Sequence, residues 1–494
     1  CHSRKTTMAM CLVCIFVTAS VLIVGTQACQ VSVDRGTVRA HFETVKTRSN
    51  PTGKSIKIYY NIPYAAPPVG HLRFKPPQPI SGFFRLTSNA SKIVSCYQHT
   101  HILGRTADEA IWGNPQGRET PSEDCLYLNI WTPVGAYSGS VNYRLNAFGF
   151  LYLGIDGAQG NMGLLDQQFA INWVYRNIHK FGGDPSKITL FGTDSGAACV
   201  GLHLFSAESR KYVKRAILQS GSPLAPWALS TTDEAKKDAM WVAERTGCNR
   251  TLGNLQATLA CLRAVSAADI LKAVNYRTFQ FAPVVDGRFL QEHPETTMNR
   301  VWLPYSLPDI IIGHNANEGA TLLPSRHPIL NLYNQPEFPR PYFRREDVMG
   351  WAVLEMGMDD DKANLFVNRF TPYTSFDTRY SHYCVLLSHM TNMEVVAVFG
   401  TPHAHSVDHR TLSLVYGHPH NNYTDTDRAV STSMMKMWAS FATSGTPGDW
   451  RWRPLMVSRY SRAFRFDISS RSQTNWWTWA SLFRYGHGCD LIPK

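Results

Sequence analysis

One run constrains the fold more than any other part of the chain: Ile188-Thr-Leu-Phe-Gly-Thr-Asp-Ser-Gly-Ala-Ala-Cys-Val-Gly-Leu-His-Leu-Phe205. Ile188 to Phe191 is an apolar β-run, and the small residues from Gly196 onward open a helix. A strand that enters a helix through one glycine-flanked turn strains its central residue outward at a helix N-terminus. Backbone N–H groups there face an incoming negative charge. Such a turn serves a nucleophile, and its usual form, G-x-S-x-G, puts serine at the centre. Here the centre is Asp194, and the only serine, Ser195, stands one place late.

Strands and helices alternate around this turn. Leu165 to Phe181 is predicted helical, with Leu165, Phe169 and Trp173 at i, i+4 and i+8; Gly182-Gly-Asp-Pro185 ends it before the elbow strand. Short strands are expected at Ala216–Gln219 and Asp309–Gly313. A late helix should bury Val430, Met434, Met437, Trp438 and Phe441 and stop at Gly445 and Pro447. Upstream, Val31 to Tyr64 reads as short strands with a turn at Asp34-Arg-Gly36, and Ser122 to Trp131 leads into another strand. The alternation implies an α/β fold on a mostly parallel central sheet flanked by helices. With 494 residues, 44% of them hydrophobic, the chain can bury one large core. No repeat or linker divides residues 29–494, which read as a single domain.

Residues 1–28 read as a leader. Cys11 to Val24 is an apolar stretch of about 14 residues, too short to span a bilayer comfortably, and Gly25-Thr-Gln-Ala28 suits signal cleavage. A secreted protein without a transmembrane anchor is expected, and sequons at Asn89, Asn249 and Asn422 agree with it. After the leader come Cys29, Cys96, Cys125, Cys199, Cys248, Cys261, Cys384 and Cys489. In an oxidising compartment these are disulfide candidates, and the absence of a C-x-x-C pair among these eight argues against zinc. His403, His405, His418 and His420 also lack metal spacing, so neither metal nor cofactor is expected. The net charge of +12 is scattered, with no basic run longer than a pair, and no nucleic-acid module is visible.

Several longer stretches carry a resemblance. They are Pro67-Pro-Val-Gly-His-Leu-Arg-Phe, Ser122-Glu-Asp-Cys-Leu-Tyr-Leu-Asn, Asn161-Met-Gly-Leu-Leu-Asp-Gln, Phe181-Gly-Gly-Asp-Pro, Ala216-Ile-Leu-Gln-Ser-Gly-Ser-Pro and Pro283-Val-Val-Asp-Gly. In this order they resemble the type-B carboxylesterase/cholinesterase family, from about Val31 to the final aromatic segment. The resemblance implies an α/β-hydrolase fold, secretion, and ester hydrolysis by a Ser-His-Glu triad at the bottom of an aromatic gorge. It places Glu318 at the triad acid, there to orient a histidine. It places Trp112 where a ring face binds a quaternary ammonium, although Gly113 is an extra residue beside it. Trp227, Phe279 and Phe281 match acyl-pocket aromatics, and each reads equally as core. Cys96 with Cys125 and Cys248 with Cys261 match family disulfides. Cys384 matches half of a third, with Cys489 as its substitute partner or a link between chains.

Three departures set the functional reading. Asp194 fills the nucleophile position, and a carboxylate attacking an ester gives an anhydride instead of an acyl-serine. Ser195 is a poor substitute, because a shift of one residue moves its oxygen several ångströms whereas catalysis tolerates about 1 Å. The glycine-rich oxyanion stretch is missing: only Val134 to Val141 stands where the family has two full β-strands, so two central strands are missing or shortened. Losing even one such donor costs about 3–4 kcal/mol of transition-state stabilisation. Counting back nine residues from Gly417 lands on Asp408, which leaves His409 as the best surviving candidate for the histidine. The compact gaps beside intact motifs look like lost exons, which Asp194 is not.

The chain therefore reads as a secreted, catalytically inactive cholinesterase-like protein. Its expected partners are a small ester or quaternary-amine ligand if the gorge survives, a protein partner, or a second copy of itself. The alternative is a carboxylic or choline ester hydrolase incompletely represented in this sequence. A third possibility, an aspartate attacking an alkyl carbon as in dehalogenases and epoxide hydrolases, has only the elbow in its favour and also needs a histidine.

Overall fold

The computed structural model describes residues 30–47, 50–88, 93–98, 119–132, 138–225, 227–250, 253–274, 281–298, 308–313, 353, 359–364 and 425–448. In chain order its main elements begin with β1 (Gln30–Val33), β2 (Gly36–Arg39), β3 (His41–Thr47), β4 (Asn50–Pro63), β5 (Phe84–Thr87), β6 (Ile93–Cys96), β7 (Glu119–Ser122), β8 (Tyr127–Thr132) and β9 (Ser138–Val141). Next come α1 (Asn146–Phe150), β10 (Tyr152–Ile155), β11 (Ala158–Gln159), α2 (Met162–Asn177), β12 (Thr189–Thr193), α3 (Ser195–Phe205) and β13 (Arg215–Gln219). The remainder are α4 (Thr232–Arg245), α5 (Leu255–Ala264), α6 (Ala267–Val274), β14 (Asp309–Gly313) and α7 (Asp425–Ser444). They group into two compact units: Cys1–Gln98, Gln116–Ser186 and Lys236–Tyr276 in one, and His99–Pro115, Lys187–Ala235 and Arg277–Lys494 in the other.

The first unit is built on a four-stranded sheet of order β3-β4-β8-β9. All its pairings are antiparallel. The expectation of a mostly parallel sheet does not hold here: β3 and β4 are separated by only two residues, and so short a connection permits only antiparallel pairing. Alternation decides what is buried: on β8, Leu128 and Ile130 face inward while the residues between them are only partly covered. They pack with Tyr59, Ile62, Trp173 and Phe181, and the Tyr59 ring meets Phe181 edge-on at 4.9 Å. Each such side chain contributes about 1.5–3 kcal/mol. β9, drawn from the short Val134–Val141 stretch, is one edge strand of this sheet among the described residues, and β3 is the other.

The predicted helix before the elbow is α2 followed by a 3-10 turn at Ile178–Phe181. Its buried face runs through Asp166, Ala170, Trp173 and Asn177, while Leu165 and Phe169 are only partly covered. Asp166 is there for a partner. Arg144 grips it with Nε–Oδ2 at 2.7 Å and Nη2–Oδ1 at 2.6 Å, adds its backbone N–H at 3.1 Å, and turns Nη1 to the Lys75 carbonyl at 2.8 Å. Arg73 forms a similar fork with Glu123, both contacts 2.6 Å, and its Nη1 donates to the carbonyls of Leu262, Arg263 and Val265 at the end of α5. A cation satisfying the orphan carbonyls of a helix C-terminus is favourable on both charge and hydrogen-bond grounds. Disulfides join Cys96 to Cys125 and Cys248 to Cys261.

The second unit carries the parallel sheet β12-β13-β14. Its middle strand, β13, is buried along its whole length, as a strand covered on both faces must be. Leu190, Ala216 and Leu218 take one face and meet Ala197, Val200 and Leu204 of α3. Ile217 and Ile311 take the other and meet Trp438 and Phe441 of α7. That late helix buries Met434, Met437 and Phe441 as predicted and ends at Gly445, whose φ of 84° suits a residue without a Cβ.

His203 of α3 is buried, with Nδ1 2.8 Å from Ser209 Oγ and its ring edge-on to Phe289 at 5.3 Å. Burial holds its imidazole neutral down to about pH 3. The unfolded chain takes up the proton below its ordinary value near 6.5, so stability is full above that pH and falls as the pH drops toward 3. In urea denaturation, His203→Gln is expected to remove up to about 5 kcal/mol of this acid sensitivity. An unchanged pH slope would refute the assignment.

Candidate active site

The elbow is set by backbone contacts that only glycine permits. β12 ends at Thr193, Asp194 turns at φ 56° and ψ −123°, and α3 starts at Ser195. The Asp194 N–H donates to the Gln219 carbonyl at 2.9 Å, and its own carbonyl accepts from Ala198 N at 3.0 Å. A Cβ on Gly192 would stand 2.4 Å from the Gly196 carbonyl carbon and oxygen, and one on Gly221 would stand 2.2 Å from the Asp194 oxygen. A Cβ on Gly196 would meet nothing within 4 Å. Gly192→Ala and Gly221→Ala should therefore each lower stability by about 1–3 kcal/mol or more. Gly196→Ala should stay within about 0.5 kcal/mol. Denaturation midpoints of the three variants check the ranking.

At the apex Asp194 is half-buried, and its Oδ1 has no hydrogen-bond partner. Burial raises its carboxyl above the ordinary carboxylate range, opposed in part by a hydrogen bond from the Ser195 backbone N–H. A raised carboxyl stabilises the fold at low pH and loses that contribution as the pH climbs through the raised value. Asp194→Asn should consequently stabilise the chain at neutral pH relative to acid pH. Ser195 is exposed at the first position of α3, one residue past the apex. The histidine that α3 carries, His203, lies about 12 Å further along the helix axis and is committed to Ser209.

Of the other candidates, Trp227 is partly buried and packs against Ala198, Ala225 and Ala228, so it lies over the start of the elbow helix. Phe281 is partly buried in the segment after α6, and Asn249 is partly buried in a 3-10 turn at Cys248–Arg250. Glu318, His409, Trp112, Phe279, Cys384, Cys489, Asn89 and Asn422 lie outside the described residues. Cys199 keeps a buried thiol in α3. Among the described residues no cluster of His, Cys, Asp or Glu is fit to hold a metal, and no helix is long and apolar enough to cross a membrane. Two supports were not singled out from sequence: Gly221, signalled only by a glycine just after a strand, and Ser220, held at φ 56° while its N–H donates to Gly313 O at 2.8 Å.

Parallel strands, a left-handed apex and a helix that opens on small residues are the parts of an α/β-hydrolase elbow. The model of the "Carboxylesterase family" matches residues 27–141 and 139–338. The chain is 32% identical to an acetylcholinesterase of Bungarus fasciatus over 471 residues, covering 80% of this chain and 76% of the relative. It is 31% identical to an acetylcholinesterase of Electrophorus electricus over 512 residues, covering 80% and 78%. The chain belongs to the carboxylesterase family. As an α/β-hydrolase it keeps the elbow; what it does with it is a separate question, because a fold hosts many functions and none by right.

Proposed function

We propose that this is a secreted, non-hydrolytic cholinesterase-like protein, a single domain after its leader, that binds a small quaternary amine or ester without cleaving it. One observation carries the reading: the elbow presents Asp194 at its apex, while Ser195 is exposed one residue later. Acyl transfer needs a hydroxyl there, backbone donors for the oxyanion and a histidine within hydrogen-bond reach. The shortened stretch before β9 supports the loss of the donors. The family match also comes in two pieces that meet at residues 139–141, the same place. The aromatic residues that the family resemblance assigns to ligand binding, Trp112, Trp227, Phe279 and Phe281, are of a type that suits a cation held by ring faces.

The test is direct. The purified mature chain is offered acetylthiocholine, 4-nitrophenyl esters and an organophosphate label, and calorimetry is run with an aryl quaternary ammonium. Binding without turnover or labelling supports the proposal. Stoichiometric labelling at Ser195 would overturn it, and turnover abolished by Asp194→Asn would point to aspartate chemistry instead. The two-piece family match also favours a second reading, in which a fuller form of this chain hydrolyses carboxylic or choline esters through an acyl-enzyme. Transcripts read across Pro133–Arg144 and Arg410–Leu414 decide between the two.

A further inference from the structure

We propose that Asp194-Ser195 is a self-modification site: the elbow holds Asp194 in the conformation from which its side chain closes on the Ser195 nitrogen to give a succinimide, and then isoaspartate. The geometry comes from one backbone angle. Tetrahedral carbon sets N and Cβ a third of a turn apart around the Cα–C axis. At the ψ of −123° observed for Asp194, Cβ of this L-residue consequently lies nearly eclipsed with the Ser195 nitrogen. A five-membered imide ring is flat and needs that eclipsed arrangement, so closure requires no backbone rotation.

The nucleophile is also free of helix bonding. Ser195 is the first residue of α3, where an N–H has no intrahelical acceptor. It reaches the Asp194 carboxyl instead. In an unfolded chain a non-glycine residue rarely visits this region, so the fold has already fixed the orientation that the reaction would otherwise have to find. The Asp194 carbonyl keeps its hydrogen bond to Ala198 N throughout, because the ring retains that carbonyl.

The step balances without any co-reactant. The Ser195 nitrogen bonds to Asp194 Cγ, the Cγ–OH bond breaks, and the amide proton leaves with the hydroxyl as water. Water then adds back: at Cγ it restores aspartate, and at the backbone carbonyl carbon it gives isoaspartate, with the main chain rerouted through the side chain. A protonated carboxyl sheds hydroxyl as water more readily than a carboxylate does, and the partly buried Asp194 carboxyl holds its proton to higher pH than usual. Formation should therefore slow as the pH rises. While the imide stands the apex carries no acid; isoaspartate carries its carboxylate on the former backbone carbonyl carbon, displaced from the Asp194 side-chain position.

Asp156-Gly157 and Asp286-Gly287 supply internal references, since an unhindered glycine nitrogen makes Asp-Gly the fast site in flexible chains. In the fold, Asp286 is tied down by the backbone N–H groups of Arg288, Phe289 and Leu290. The experiment incubates the full chain, folded and in urea, then digests it in acid and reads loss of one water by mass spectrometry, with isoaspartyl methyltransferase labelling for the hydrolysed product. Asp194 should dehydrate about tenfold faster folded than unfolded. It should outrun both Asp-Gly sites in the fold and trail them in urea. Asp194→Glu, which cannot form the five-membered ring, should abolish the signal; if that variant does not fold, the wild-type comparison decides alone. Dehydration no faster in the fold than in urea, or surviving in Asp194→Glu, would overturn the proposal.

Discussion

Asp194→Ser is expected to leave the chain without measurable turnover of acetylthiocholine or 4-nitrophenyl esters, although it restores Gly-x-Ser-x-Gly across Gly192–Gly196. The apex would then carry a hydroxyl in the strained outward conformation that β12 and α3 impose. A hydroxyl alone is not a catalyst. Without a base to take its proton, a serine hydrolase loses about as much as when the whole triad is removed, on the order of a millionfold. Each missing oxyanion donor removes a further factor of about a hundred to a thousand. The stretch that should supply those donors is reduced to the residues leading into β9, and His203 is buried against Ser209. Saturable turnover by Asp194→Ser, blocked by one equivalent of an organophosphate, would mean that a working histidine and oxyanion site exist, with His409 and Glu318 the residues to mutate next.

Among the described residues, breaking the Arg144–Asp166 pair should give the largest loss of stability from a single charge change, because it has the most deeply buried charges. Arg144→Met is expected to cost about 3–5 kcal/mol, read as a shift of the urea midpoint at neutral pH, because it leaves a carboxylate buried at 0% exposure without its partner. The double variant Arg144→Met with Asp166→Leu should recover most of that loss, since it removes both charges and both desolvation costs. A double variant no more stable than Arg144→Met alone would show that the pair acts through packing. The Arg73–Glu123 pair is a weaker test, because Arg73 also serves the carbonyls at the end of α5 and its removal breaks two functions at once.

Local pattern made much of this legible. The elbow strand and its helix, the strands at Ala216–Gln219 and Asp309–Gly313, and the late helix ending at Gly445 all rest on periodicity and glycine punctuation within a few residues. The helix before the elbow was legible from the spacing of Leu165, Phe169 and Trp173, of which Trp173 is buried and Phe169 packs against the same core. The buried face also includes Asp166 and Asn177, polar residues whose partners lie elsewhere in the chain. Asp166 meets Arg144, and Asn177 accepts a hydrogen bond from Asp34 N at 3.0 Å and donates to Trp173 O.

By itself the sequence determined the elbow, the aspartate at its centre and the serine displaced beside it, because each is written in contiguous residues whose types dictate the local backbone. Membership of the carboxylesterase family followed from the same kind of contiguous motif. Only the tertiary structure decided that the first unit's sheet is antiparallel with β9 at one edge, and that Gly221 closes on the Asp194 carbonyl. It also decided that the Asp194 carboxyl is held half-buried with one oxygen unpartnered, at a ψ that lines Cβ up with the next nitrogen. These depend on which distant segments meet and on how much water they exclude, and no local pattern encodes either.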